Sequence, residues 1–302
     1  MSTIRSFMFH DIRDFSDTNY PERYKLKSFL TRKEFEFQIN FIDTHYTIIR
    51  SDSVLHVDMD GDEDYAILTF DDGLLDHYYV ANYLESKGLS GTFLVPTNPI
   101  LEHKLIHTNK IQFIQASVNE KDLTKDILSN FENKELIWNE FSKTKWKDNW
   151  WSKEMIFITN ILRRYQTTHF NNYEYTNYLF NKYVSEDEAL FAKKLYLSTE
   201  QLSKMSDMNM IIGGHGSSSE NLLLVDDVDN DVKTSSDFIK GYSDNFIFSY
   251  PNGGYNDDIK DIMKKYDCKL SFTINQMTIT NLDIVDYLEF PRYDAPQKIK
   301  LK

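Results

Sequence analysis

The sequence predicts an α/β fold built around a mainly parallel sheet. Three observations carry this. Short apolar runs of strand length alternate with amphipathic stretches of helical period. Several runs end in small clusters of polar residues, as parallel strands do where their loops gather on one rim. With 302 residues, 41% of them hydrophobic and 15% aromatic, the chain can bury one large core.

Taken in order, Ile4–Phe9 reads as the first strand and stops at His10. Thr31 and Glu34 have capping-box spacing and open a helix whose inner face carries Phe35, Ile39 and Ile42. Tyr65–Phe70 is the next strand and runs into Asp71-Asp72-Gly73. The stripe Tyr79, Val80, Tyr83 and Leu84 then ends before Gly88, a suitable C-terminal cap. Gly91–Val95 follows as a strand.

From Val95 to about Leu197 the pattern changes to longer helical segments rich in Lys, Asn and aromatic residues. It reads as a helical insertion at about 100–196 within a single domain spanning 1–302. The strand rhythm then resumes. Ser198 and Gln201 repeat the capping box, and Met208–Ile212 leads into GGHGSSSEN with His215. Val225–Lys233, VDDVDNDVK, reads as a solvated loop without the spacing of a calcium site. Asn245–Ser249 leads into YPNGG, and Asn256 opens a helix with Asp257 and Asp258 at its positive end and Ile259, Ile262, Met263 and Tyr266 inside. Lys269–Thr273 and Tyr287–Phe290 complete the strands, the last running into PRYDAP with Arg292 and Asp294.

The totals exclude several classes of function. A formal net charge of -13 opposes binding to a nucleic-acid backbone. No stretch reaches the length of a membrane span, and the N-terminal run is broken by His10 and Asp11, unlike a secretory signal. The lone Cys268 rules out an intrachain disulfide framework or a thiolate-rich zinc site. A cytoplasmic protein is expected.

Each polar cluster has a plain reading. Asp-Gly is good turn chemistry, and a single histidine after paired glycines is commonly structural. Arg292 and Asp294 can form a salt bridge that closes a barrel, or Arg292 can pair with another carboxylate. His103 and His107 are four apart, a spacing that could place both on one helix face as ligands or leave them as solvated or capping residues. Trp146, Trp150 and Trp151 suit either sugar stacking or the core of a helical subdomain. What favours function is coincidence, since all the clusters fall at the same end of the inferred strands.

TFDDG at Thr69–Gly73 followed by a helix and GTFLV, LSTEQLSKMSDMNMIIGGHG at Leu197–Gly216, and FSYPNGGYN at Phe248–Asn256 resemble the three motifs of the polysaccharide deacetylases, the NodB-homology family of carbohydrate esterases. FMFHDIRD and FPRYDAP resemble a bacterial envelope-sugar branch of that family. The resemblance covers about 200 residues and implies a distorted (β/α) barrel of NodB-homology type with a helical insertion. It implies a metal-assisted hydrolase that removes an acyl group, acetyl first, from an amino sugar, and the absence of an export signal favours a nucleotide- or lipid-linked precursor of a surface polysaccharide as substrate. By carry-over, Asp71 is the base and Asp72 and His215 hold one divalent metal, zinc, while the Asn252 backbone N–H is an oxyanion donor. Tyr250 and Pro251 then lie on the substrate side together with Ser219.

The chain departs from the pattern at three places. Ser219 stands where the family has a second histidine, Ser249 where it has an arginine that orients the base, and Asn252 where it has an aromatic residue. His10 is a candidate replacement metal ligand, and Arg292, with Asp294 near it, a candidate replacement arginine. A catalytically silent sugar- or protein-binding relative is the alternative that these departures raise. A magnesium site for sugar-phosphate transfer is a third reading, without a phosphate-cradling glycine loop to support it.

Overall fold

The computed structural model describes residues 2–143, 151–168 and 170–295. Its strands are β1 (Thr3–Phe9), β2 (Asp11–Ile12), β3 (Phe29–Leu30), β4 (Thr47–Ile48), β5 (Asp64–Asp71), β6 (Thr92–Val95), β7 (Ile211–Gly214), β8 (Ile247–Ser249), β9 (Leu270–Phe272) and β10 (Tyr293–Asp294). The main sheet runs β10-β1-β5-β6-β7-β8-β9 with β4 beside the start of β5, and all its pairings are parallel. The remaining strands, β2 and β3, pair with each other.

One late stretch of chain joins the two edges of this sheet. Phe290 bridges in parallel to Phe272, its N–H donating to Ser271 O and its carbonyl accepting from Thr273 N–H. A few residues on, β10 lies against β1 with Phe7 opposite Tyr293, and Ala295 N–H donates to Met8 O. The result is a distorted (β/α) barrel closed by residues 290–295.

Strand alternation decides what the barrel contains. From the register, Ile4, Ser6 and Met8 share a face with Ile67, Thr69 and Asp71, and then with Leu94, Gly213 and Ile247. Ile4, Ile67, Leu94, Ile211, Ile247, Leu270, Phe272 and Phe290 form one buried cluster on it. The alternate residues face outward to the helices. Phe9 stacks on Phe70 and meets Phe35 edge-on, and Phe70 in turn stacks on Phe93.

The helices are α1 (Arg32–His45), α2 (His77–Ser86), α3 (Thr97–Leu101), α4 (His107–Ser117), α5 (Glu120–Leu128), α6 (Lys134–Phe141), α7 (Lys153–Arg164), α8 (Asn172–Tyr183), α9 (Glu188–Leu195), α10 (Thr199–Asp207), α11 (Val228–Ile239) and α12 (Asp257–Lys265). Both expected capping boxes form, at Thr31 with Glu34 and at Ser198 with Gln201. Asn256 caps α12 by accepting from Ile259 N–H. None of these helices is long and apolar enough to cross a membrane.

Three expectations change. The strand placed at Met208–Ile212 starts at Ile211, because Met208 still caps α10 and Asn209 turns through a left-handed conformation with φ 61°. The strand placed at Tyr287–Phe290 is a tight turn over Tyr287–Glu289, and the strand pairing follows at Phe290 and β10. Val225–Lys233 is not all loop: α11 starts at Val228, with Asp227 accepting from Asn230 N–H as its cap.

The chain falls into two units by its internal contacts. The barrel unit comprises Met1–Asp17, Phe29–Lys104 and Ala192–Lys302, and the second comprises Thr18–Ser28 and Leu105–Phe191. The second unit is helical and draws in the short N-proximal stretch through aromatic packing. The Tyr20 ring lies edge-on to Phe113 and Phe191, and the Arg23 guanidinium sits 4.3 Å from the Phe113 ring centre. Within it, the buried Lys110 ammonium donates to Asn177 and pairs with Glu188.

Phe290 is fully buried and meets Phe272 at right angles, so it anchors the closing stretch to β9. Phe290→Ala is expected to lower the unfolding free energy by about 3–5 kcal/mol in urea titrations, the cost of emptying a core aromatic site. An effect below about 1 kcal/mol would show that closure does not depend on this ring.

Candidate active site

Asp71 ends β5 on the barrel face, and its carboxylate is sealed from solvent. Arg292 meets it with both arms of its guanidinium: Nη1 donates to Oδ1 at 2.7 Å and Nη2 to Oδ2 at 2.9 Å. Nη1 also donates to Thr69 Oγ1, and Nε donates to Thr273 O. The partner of Arg292 is therefore Asp71 and not Asp294, which stands in register with Met8 on β10. Burial pushes the Asp71 carboxyl up, but Arg292, with His215 and His10 adding to it, outweighs burial and holds it at about 2.

Asp72 is the next residue and turns out of the strand through φ 79°, followed by Gly73 at φ 63°. A side chain at Gly73 would press on Val95 at 3.1 Å, so the tight turn needs glycine there. The turn brings Asp72 Oδ1 to the meeting point of two groups from the loop after β7. Ser219 Oγ–H donates to it at 3.1 Å, and His215 Nε2 lies 3.6 Å away.

His215 is buried and fixed from behind. Its Nδ1 is 3.0 Å from Ser249 O and 2.6 Å from Ser249 Oγ. A carbonyl can only accept, so the tautomer that satisfies this contact carries its proton on Nδ1 and turns the Nε2 lone pair towards Asp72. Ser249, where the resemblance expects an arginine, thus contacts the His215 imidazole.

The loop that carries His215 and Ser219 is tied down on two sides. Both carboxylate oxygens of Asp231, on α11, accept from Ser217 N–H at 3.0 and 3.1 Å. At the start of α3, Thr97 N–H donates to Gly216 O and Asn98 N–H to Ser217 O. Ser219 itself is held at φ 58° and Asn252 at φ 53°. Two of the non-glycine residues with left-handed backbone, Asp72 and Ser219, therefore meet in this one site, where such conformations persist only if the surroundings impose them.

The remaining expected residues divide. Asn252 is exposed, and its N–H makes no backbone hydrogen bond to a described residue. Tyr250 and Pro251 are buried. Tyr250 is fully buried with its ring stacked 4.7 Å from that of Tyr255, because alternation along β8 sends Ser249 inward and Tyr250 outward. Tyr255, half-buried on top of it, is the aromatic nearer the surface. His10 follows the Phe9–Phe70 pair at the end of β1 and lies within electrostatic reach of Asp71.

His103 and His107 do not share a helix. His103 sits at φ 54° between α3 and α4, and His107 opens α4 with its ring against Tyr173 and its Nε2 on Leu162 O. Trp146 and Trp150 lie outside the described residues, and Trp151 is half-buried.

His77 was not anticipated. It is fully buried at the start of α2, burial lowers it to about 4, and its neutral ring donates from Nε2 to His10 O at 2.7 Å. The neighbouring Arg13 bridges Asp11 at 2.9 Å and Asp76 at 2.6 Å, stitching the end of β1 to the turn that holds Asp72.

Among the described residues no group of three His, Cys, Asp or Glu side chains comes together as a metal site. His10 therefore does not complete one with Asp72 and His215. What the residues offer is a carboxylate oxygen and an imidazole lone pair 3.6 Å apart, the span of two donors to one tetrahedral ion, with a hydroxyl beside them.

No protein-family model and no curated protein matches the sequence. Solved structures do. PplD, a Streptococcus pyogenes deacetylase solved with acetate, aligns with a TM-score of 0.56 at 14% identity, over 97% of this chain and 92% of that one. IcaB from Ammonifex degensii aligns at 0.56 and 12% identity, over 98% and 94%. A de-N-acetylase from Aggregatibacter actinomycetemcomitans aligns at 0.54 and 11%, over 98% and 97%. The chain has the fold of these deacetylases along nearly its whole length, as the NodB-type resemblance implied.

The Asp71–Arg292 pair sets a pH dependence of stability. The folded-state value of Asp71 lies below its ordinary 3.8, so the contribution is fully present above pH about 4 and is lost as pH falls towards 2. Asp71→Asn is expected to remove about 2 kcal/mol of acid-dependent stability across that interval, read from urea unfolding at stepped pH. Arg292→Met, which leaves the carboxylate buried alone, is expected to cost about 3–5 kcal/mol at pH 7. Arg292→Lys should recover only part of it, since one ammonium cannot span both oxygens.

Proposed function

We propose that the chain is a metal-assisted amidase that removes an acetyl group from an amino sugar. The observation that carries this reading is the convergence of His215 and Ser219 on one oxygen of Asp72, immediately beside the Arg292-held Asp71. The shared fold with proteins described as deacetylases supports it.

Asp72 and His215 would hold the cation, which when bound polarises the acyl oxygen and lowers the pKa of its water towards ~7. Asp71 is the base that accepts the proton of the attacking water. Held at about 2, it is ionised throughout the neutral range, and Arg292 keeps its oxygens oriented. The Asn252 N–H donates to the oxygen on which negative charge develops. The leaving amine takes up the proton that the water gave to Asp71. Ser249 and Asp231 act through others, the first by fixing the His215 ring and the second by holding the loop of Ser219.

A second reading is a relative that binds sugar without hydrolysis, and the two-strong-ligand site favours it. Acetate release separates the two, measured with acetylated amino-sugar oligosaccharides and with nucleotide- and lipid-linked acetylated amino sugars. The wild type is expected to release acetate from at least one of them in the presence of zinc, cobalt or manganese. Asp71→Asn should keep the cation yet lose about 10²–10⁴-fold in kcat. Cation binding and sugar binding without any acetate release would establish the silent relative instead.

A further inference from the structure

We propose that Asn221 is a positioning residue for the reaction: its side-chain amide, seated on Gly254, fixes where the Asn252 N–H stands relative to Asp72 and His215. The inference rests on the amidase reading and deepens it.

Two loops meet at this contact. Asn221 lies in the loop after β7, two residues beyond Ser219, whose hydroxyl donates to Asp72. Gly254 lies in the loop after β8, two residues beyond Asn252, and is buried. A Cβ added at Gly254 would fall inside the Asn221 amide, with its oxygen, carbon and nitrogen all in the way. The amide has no free rotation with which to yield. Its Oδ1 accepts from Leu223 N–H at 2.9 Å and caps the turn Leu222–Leu224, in which Leu222 is buried. Swinging the side chain aside gives up that cap.

The far side of the β8 loop is covered in the same manner. Ile274, in the loop after β9, lies over Gly253, where an added Cβ would meet its Cγ1 at 2.6 Å. The carbonyl of the next residue, Asn275, accepts from Arg292 N–H at 2.9 Å. The glycine pair thus stands between a loop bonded to Asp72 and a loop bonded to the arginine that holds Asp71. Asn252, at φ 53°, comes directly before the pair, so a shift of the pair carries its N–H along. A donor to developing charge works only in its place, and a displacement of about 1 Å costs about 10²-fold in rate.

Gly254 has an ordinary φ of -83°, so Gly254→Ala adds no backbone strain and isolates the clash with Asn221. The full chain is assayed for acetate release from the same acetylated amino sugars. Gly254→Ala is expected to lower kcat by about 10²-fold with KM within about threefold, because the Asn252 N–H acts in the transition state. Asn221→Ser keeps an oxygen to cap the turn but empties the space over Gly254, and is expected to lower kcat by about tenfold. In the double variant the alanine methyl occupies that space. Its kcat is expected to return to within about threefold of wild type, far above the product of the two losses.

Additive losses in the double variant, or an unchanged kcat in either single variant, overturn the proposal and leave the amidase reading intact. A lowered urea midpoint with full kcat gives the contact a structural role alone and overturns it as well. Should Gly254→Ala not fold, Asn221→Ser decides: a tenfold loss of kcat at unchanged KM supports the proposal, and full kcat overturns it. A wild type that releases no acetate from any of these sugars removes the amidase reading and the proposal with it.

Discussion

The bidentate contact between Arg292 and Asp71 is the constraint around which the barrel is arranged. Each charge alone would be costly in the interior, and together they are tolerated because both carboxylate oxygens and three of the guanidinium's directions are satisfied. The pair also joins the fold to the candidate site. Arg292 lies in the stretch that bonds to β9 on one side and β1 on the other, so the geometry of closure and the orientation of the carboxylate are one arrangement.

At position 249 a serine holds Nδ1 of His215 from both backbone and hydroxyl. The imidazole and the carboxylate are thereby oriented by separate residues from separate strands. A second polar layer lies beneath the turn of Asp72, where Arg13 spans Asp11 and Asp76 and His77 supports the carbonyl of His10. The candidate site thus rests on a hydrogen-bonded scaffold.

Much of the barrel was legible in the sequence because local signals and tertiary packing agree there. Both capping boxes formed, and most of the apolar runs became strands within one or two residues of their expected limits. The failures have physical causes. Tyr287–Phe290 is apolar because Phe290 packs in the core, yet only Phe290 pairs with a strand, and two-residue strands such as β2 and β4 are too short to leave a periodic pattern. Asp227 and Asn230 have helix-capping spacing, a signal hidden in an acidic run that reads first as solvated. In the site, Asp71, Asp72 and His215 were legible as strand ends. The pairing of Arg292 with Asp71, 221 positions apart, depends on closure and has no local signature. Tyr250, expected on the substrate side from its motif position, is buried because strand alternation turns it outward against Tyr255.

The place of Arg292 in the chain also bears on how the protein is made. A ribosome delivers β1, β5 and the paired aspartates long before the stretch that neutralises Asp71 leaves the exit tunnel. Until then the nascent barrel has an open seam and a carboxylate that stays hydrated or protonated. Closure of the sheet therefore waits until the chain extends 221 positions beyond Asp71.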